Sequence, residues 1–238
     1  MARFHVLGMV LKNKKPEIFE KAKKQTEIKA CNINQFFDAL HKVLKDIQEI
    51  SNFSKHMDVI NTSFSNMTNE ETFFCTLKEP WITIIHGDFW INNILFHKDK
   101  HGNVDDVKFI DFQTYRYNSP LKDLLRFLCG NLDEETSDKY FDALIDHYYN
   151  EFITKLNLMQ CRTSEFSKGS FDQELKRVAV HDFAWFTLAV KLVAFEVEKN
   201  SKTSDELMNY MFESNQSEAL EKRLLKLLAI YERKGWFN

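Results

Sequence analysis

Six glycines and three prolines are all the backbone punctuation in a chain of 238 residues. Tight turns depend on the left-handed or pre-set backbone that these residues supply, so the chain must run mainly in long uninterrupted elements. The apolar spacing agrees. Between Ile33 and Ile50, the residues Phe36, Phe37, Leu40, Val43, Leu44 and Ile47 recur at steps of three and four, the repeat of a helix with one buried face. Residues 4 to 11 read as the end of a buried helix. Pro16 opens a second helix over Glu17 to Thr26, at a first-turn position where the missing N–H costs nothing. Residues 51 to 78 read as mixed helix and loop. Three more helices are expected over 136 to 158, 171 to 198 and 217 to 234. The middle one is apolar on nearly every side from Val178 to Phe195, as the central helix of a bundle would be.

One stretch breaks this texture. Trp81-Ile82-Thr83-Ile84-Ile85 is a short β-branched run, and Ile94-Leu95-Phe96 and Val107-Lys108-Phe109-Ile110 are two more. The polar residues Lys98 to Asn103 separate the last two, which therefore read as a hairpin. Ser119 is then expected as an N-cap with Pro120 at the first helical position. An apolar stripe of Leu121, Leu124, Leu125 and Leu128 follows, with Gly130 as the stop. The expected class is α+β and mostly helical: helices, a small β insert, then helices again, with no repeat, low-complexity tract or linker.

Several function classes are disfavoured. A net charge of -3 gives no basis for a nucleic-acid or anionic-membrane partner. Lys12, Lys14 and Lys15 form only a short basic cluster, read as a solvated helix end. Cys31, Cys75, Cys129 and Cys161 lie far apart without metal-ligand spacing, which fits small buried groups in a reducing, cytoplasmic compartment. The apolar start is interrupted by His5 and runs straight into a charged segment, unlike a secretory signal. No stretch reaches the length of a transmembrane helix.

The chemistry concentrates in the β insert. In His86-Gly87-Asp88-Phe89-Trp90-Ile91-Asn92-Asn93 a carboxylate is followed five residues later by an amide, in a loop between short strands. Eighteen residues after Asn93, Asp111 ends an apolar strand and precedes Phe112. Phosphoryl transfer from ATP needs a carboxylate to orient the attacking hydroxyl and accept its proton. It also needs oxygen ligands for the magnesium ion that bridges the phosphates. A D-x-x-x-x-N loop followed by a strand-borne Asp-Phe supplies both, and the hairpin sets Asp111 back beside Asn93. The bland alternative is that Asp88 and Asn93 make turn hydrogen bonds and Asp111 caps a strand. A hydrolase with Asp88 and Asp111 as its carboxylate pair is disfavoured, because the hairpin and Asn93 would have no role.

The run HGDFWINNILF, followed by VKFIDFQTYRYNSPLKDLLRFL, closely resembles the CHK kinase-like or ecdysteroid kinase-like family, related to choline kinases and aminoglycoside phosphotransferases. The opening ARFHVLGMVLKNKKPEIFEKAKK and the closing LLAIYERKGWF are also similar to that family's C-terminal lobe, so the resemblance spans residues 1–238. It implies the C-terminal lobe of a protein-kinase-like, aminoglycoside phosphotransferase-like fold with a small β-hairpin insert. It implies Asp88 as the catalytic base, and Asn93 and Asp111 as magnesium ligands toward ATP. His86 belongs to the same catalytic set, shaping the loop through hydrogen bonds rather than shuttling protons. Asp123 is either a brace behind the loop or a simple helix-start carboxylate. Gln113 stands where protein kinases have glycine.

The nucleotide-gripping half of such an enzyme is not legible. Gly8, Gly87, Gly102, Gly130, Gly169 and Gly235 are all isolated, and no lysine sits inside a β-branched run before residue 80. The expectation is a catalytic lobe without its N-terminal nucleotide lobe. It would be a fragment of an ordinary enzyme, a truncated non-catalytic paralogue acting as a binding or scaffold protein, or a lobe completed by another chain. The implied partner is a small hydroxylated molecule such as an ecdysteroid. Phe166, Phe171, Phe183, Trp185, Phe186 and Phe195 are either an aromatic wall for it or ordinary core, and core is preferred. His181 and Asp182 are neighbours whose side chains should diverge on a helix, which argues against a dyad.

Overall fold

The computed structural model describes residues 1–26, 33–68, 77–198, 206, 210–212 and 217–238. Cys31, Cys75 and residues 69–76 of the 51-to-78 segment lie outside them. Among the described residues the helices in chain order are α1 (Ala2–Lys14), α2 (Pro16–Gln25), α3 (Ile33–Gln48), α4 (Met57–Met67), α5 (Pro120–Asn131), α6 (Glu134–Leu158), α7 (Lys168–His181), α8 (Phe183–Glu198) and α9 (Glu218–Arg233). The strands are β1 (Thr83–Ile85), β2 (Ile94–Lys98), β3 (Val104–Phe109) and β4 (Arg116–Asn118). The chain is thus mostly helical with a little β structure. No single described helix is long and apolar enough to cross a membrane.

The chain divides into two compact units, each built from two separate stretches: Met1–Ile28 with Leu77–Phe171, and Lys29–Thr76 with Asp172–Asn238. In the first unit, β1 pairs antiparallel with β4, setting Thr83 opposite Asn118 and Ile85 opposite Arg116. Among the described residues the strands β2 and β3 pair only with each other, with Ile94 opposite Phe109 and Phe96 opposite Val107. Helix α1 packs against β1 and α6. Gly8 permits this, because a Cβ there would come within 2.2 Å of the Thr83 hydroxyl, which donates to the carbonyl of His5 at 3.1 Å. Trp81 closes the core edge-on to Phe166 and Phe171.

Helix α5 departs from expectation at both ends. Ser119 occupies the N-cap position with Pro120 at the first turn, but its hydroxyl caps nothing. The turn is closed by backbone instead, with the Lys122 N–H donating to the Ser119 carbonyl at 3.1 Å. Gly130 does not stop the helix, which continues through Asn131 and leaves on an extended Leu132. Asp133 then caps α6 by accepting from the Thr136 N–H at 2.7 Å, so the chain turns on a carboxylate rather than on a left-handed glycine.

In the second unit, α8 is the central helix, in contact with α3, α4 and α9. The single helix expected over 171 to 198 is in fact two, broken at Asp182. A buried hydroxyl explains the break. Ser63 donates to the His181 carbonyl at 3.0 Å and accepts from the Ala184 N–H at 3.3 Å, inserting into the helical ladder. The break also overturns the expectation for His181 and Asp182, whose side chains meet at 2.6 Å. Deep in the same unit Lys191 donates to Asp46 at 2.8 Å, both buried. Phe183, Phe186 and Phe195 are core residues here and Trp185 is half-buried, whereas Phe166 and Phe171 are core residues of the first unit.

Candidate functional site

The loop from His86 to Asn93 joins β1 to β2 and ends in a single 3-10 turn over Ile91–Asn93. Gly87 is needed at its start. Its backbone is left-handed at φ 80, and a Cβ would lie 2.2 Å from the Thr114 carbonyl oxygen. His86 is fully buried and clamps the loop. Its Nε2 donates to the Ile110 carbonyl at 2.8 Å, and its Nδ1 accepts from the Asp88 N–H at 3.4 Å. A carbonyl can only accept and an amide N–H can only donate, so the proton sits on Nε2. Phe112 packs against the same ring, with 4.6 Å between centroids.

Asp88 lies at the partly open end of this loop, with its side chain 23% exposed. The Asn93 Nδ2 donates to the Asp88 carbonyl at 2.8 Å and to its Oδ2 at 3.2 Å. The other carboxylate oxygen, Oδ1, accepts from the guanidinium of Arg126 on α5. Arg126 is buried, and burial lowers its pKa against the pull of Asp88 and Asp123.

The hairpin returns the chain to this loop. With Ile94 opposite Phe109, the next pair outward is Asn93 and Ile110, and the Ile110 N–H donates to the Asn93 carbonyl at 3.0 Å. Asp111 follows directly, in a left-handed conformation (φ 62, ψ 59) that aspartate tolerates better than most residues. Its carboxylate is exposed and accepts from the Gln113 amide at 3.3 Å. The His86 side chain and the Asn93 carbonyl, both bonded to the Ile110 backbone, thus join the two halves of the expected constellation.

Asp123 lies behind the loop, fully buried. Its Oδ2 accepts from the His86 N–H at 2.7 Å and its Oδ1 from the Gly87 N–H at 3.0 Å. His5 Nε2 lies 3.1 Å from Oδ2, and His5 Nδ1 lies 2.8 Å from the Tyr148 hydroxyl. Burial alone would raise the Asp123 pKa, but the bonds from His5, His86 and Gly87 hold it below the usual range. Burial lowers the pKa of His5 and pushes the Tyr148 phenol well above its ordinary value.

Comparison with known families decides the kinship: the sequence model of the ecdysteroid kinase-like family matches residues 1–161. The chain belongs to the ecdysteroid kinase-like family. Comparison with curated proteins and with solved structures finds no match. Membership makes the protein kinase-like and suggests phosphoryl transfer to a small molecule. The stretch matched by the ecdysteroid kinase-like family contains His86, Asp88, Asn93, Asp111 and Asp123, and also His5, Arg126 and Tyr148.

The magnesium expected of a kinase-like site can be tested against the donor set. Among the described residues, both side-chain bonds of Asn93 use Nδ2, which leaves its Oδ1 as an acceptor, and the Asp111 carboxylate receives only the Gln113 amide. An amide oxygen and a carboxylate are hard donors of the kind magnesium takes, with the remainder of its shell from water and phosphate. The residues fit the ion. Among the described residues no cluster of three or more His, Cys, Asp or Glu side chains offers another metal site.

Three residues at the site escaped the sequence reading. Arg126 carried a signal, being a charge inside the Leu121-to-Leu128 stripe and one helical turn after Asp123. His5 showed itself only as an interruption in an apolar run. Tyr148 carried no signal at all.

Proposed function

We propose that the chain is the catalytic half of an ATP- and magnesium-dependent phosphotransferase acting on a hydroxyl of a small molecule, within the C-terminal lobe of a kinase-like fold. The observation that carries this reading is the hairpin return, in which the Ile110 N–H meets the Asn93 carbonyl at 3.0 Å and delivers Asp111 beside the loop of Asp88. Asp88 orients the acceptor hydroxyl and takes its proton. Asn93 Oδ1 and the Asp111 carboxylate would hold the metal, which would supply positive charge to neutralise the nucleotide phosphates. His86 holds the loop to the strand end, and Asp123 braces it from behind. A hydroxylated, ecdysteroid-like substrate and a cytoplasmic setting go with this reading.

The nucleotide grip lies outside these residues. The glycines of the chain are isolated, and the described strands form only two-stranded pairs. A second reading, a non-catalytic relative that binds or scaffolds, is favoured by one observation: the Asp88 carboxylate already carries the Arg126 guanidinium. Two measurements separate the readings. Clear magnesium-dependent ATP binding to the 238-residue chain by calorimetry would contradict the missing grip. In the complete gene product, turnover that is lost in Asp88→Ala supports the catalytic reading, and unchanged turnover removes Asp88 from its role.

A further inference from the structure

The contacts of Asp123 reach beyond the loop into a buried chain of three side chains. Asp123, held as a carboxylate, can only accept, so His86, Gly87 and His5 must each present a proton to it. That places the His5 proton on Nε2. Burial keeps the ring neutral, so its Nδ1 carries a lone pair and needs a donor. The Tyr148 hydroxyl, 2.8 Å away, can give only one proton and gives it there. Every proton in the chain therefore has one position, and the polarity runs from Tyr148 on α6, through His5 on α1, to Asp123 on α5 and the backbone of the catalytic loop. The three side chains are almost wholly excluded from water, with Tyr148 4% exposed, His5 0% and Asp123 1%. No solvent molecule can take the place of a missing partner without opening the core.

We propose that His5 and Tyr148 are positioning residues for the loop that carries Asp88, holding Asp123 in the one orientation in which its two oxygens reach the His86 and Gly87 N–H groups together. Two observations support a directed role rather than a chance core contact. The helix that carries His5 is locked in register by Gly8 against β1, the strand that feeds the loop, and by the Thr83 hydroxyl on the His5 carbonyl. The His5 ring also reaches two different elements through its two nitrogens, so rotating it breaks both bonds at once. The proposal rests on the loop being the catalytic one, but its test reads the loop directly and needs no turnover.

Amide hydrogen exchange of the whole chain, resolved residue by residue by NMR, tests it in three variants. Tyr148→Phe removes one hydroxyl and leaves the ring packing. It is expected to raise exchange at His86 and Gly87 by about tenfold, leaving Phe152 and Leu156 in the core of α6 unchanged. His5→Gln, whose amide reaches the place of Nε2, is expected to keep the protection, whereas His5→Asn, whose amide stops near Nδ1, is expected to lose it. Imidazole nitrogen shifts of the native chain should show His5 with its proton on Nε2. Unchanged exchange at His86 and Gly87 in Tyr148→Phe would overturn the proposal. So would a His5 proton on Nδ1, or equal behaviour of the Gln and Asn variants. If these results hold while Asp88→Ala leaves turnover intact, the positioning stands and the catalytic reading of the loop falls.

Discussion

Arg126 donates through its guanidinium to the carboxylate of Asp88, so the group we propose to meet an acceptor hydroxyl is held by a buried cation on α5. Four further bonds tie the same loop. His86 reaches Ile110, Asn93 reaches back to Asp88, and Asp123 takes two N–H groups from behind. Pre-organisation of this kind lets a site act on a bound group without reordering itself at the moment of reaction.

The Arg126–Asp88 pair should be measurably coupled. Removing one partner of a buried pair strands the other charge, which costs about 3–5 kcal/mol for full burial and less here, because the Asp88 side chain is 23% exposed. In a double-mutant cycle of Arg126→Met and Asp88→Asn, urea unfolding is expected to give a coupling energy of about 1–2 kcal/mol. Additivity of the two changes would show that the pair is a surface contact of little weight.

Gly87→Ala should be among the most damaging single-carbon additions in the first unit. The left-handed backbone disfavours any Cβ by about 1–2 kcal/mol. The nearest atom is also the Thr114 carbonyl oxygen at 2.2 Å, a backbone group with little freedom to yield. Gly102 is the control, since its φ is equally positive at 85 but a Cβ there meets nothing within 4 Å. Thermal melting should show the larger loss for Gly87→Ala; equal losses would mean that the crowding at Thr114 relaxes freely.

Acidification should weaken the first unit in two stages. Burial lowers the folded pKa of His5 below its ordinary value of 6.5, so between the two values the unfolded chain binds a proton that the folded chain refuses. Stability therefore falls as pH drops below about 6.5. Asp123, also depressed, adds stability that is present above its ordinary 3.8 and is lost as pH falls further through its folded value. Unfolding followed from pH 7.5 to pH 5.5 should show the first stage in the native chain and not in His5→Gln. The same slope in both would place the titration elsewhere.

Ser63→Ala should destabilise the second unit by about 1–3 kcal/mol, since it removes the group that serves both the His181 carbonyl and the Ala184 N–H at the α7–α8 break. Chemical denaturation measures it. No change would mean that the broken helix ends satisfy themselves.

How much of this was legible in the sequence follows from the range of each determinant. Helical spacing and the hairpin that brings the candidate residues His86 to Asp111 together depend on neighbours in the chain, and both were visible. The α7–α8 break depends on Ser63, 118 residues away from His181, and periodicity alone predicted one helix there. Ser119 and Gly130 carried the residue types of a cap and a stop. Backbone closure and the Asp133 cap took over those tasks, because a short connection leaves no room for a left-handed turn. The division into two units left no trace either, since each unit is assembled from two separate stretches without a glycine- or proline-rich linker. The brace behind the loop was half visible. Asp123 could be suspected at its helix start, but its bond to His5 and the bond of His5 to Tyr148 span 118 and 143 residues of sequence.

The most direct measurement is phosphate transfer from ATP to a small hydroxylated acceptor by the complete gene product, compared with its Asp88→Ala variant after circular dichroism has shown the fold retained. Loss of the group proposed to orient the hydroxyl and take its proton is expected to lower turnover by about 10²–10⁴-fold. Turnover in the variant equal to that of the native protein would contradict the assignment of this loop as the catalytic centre.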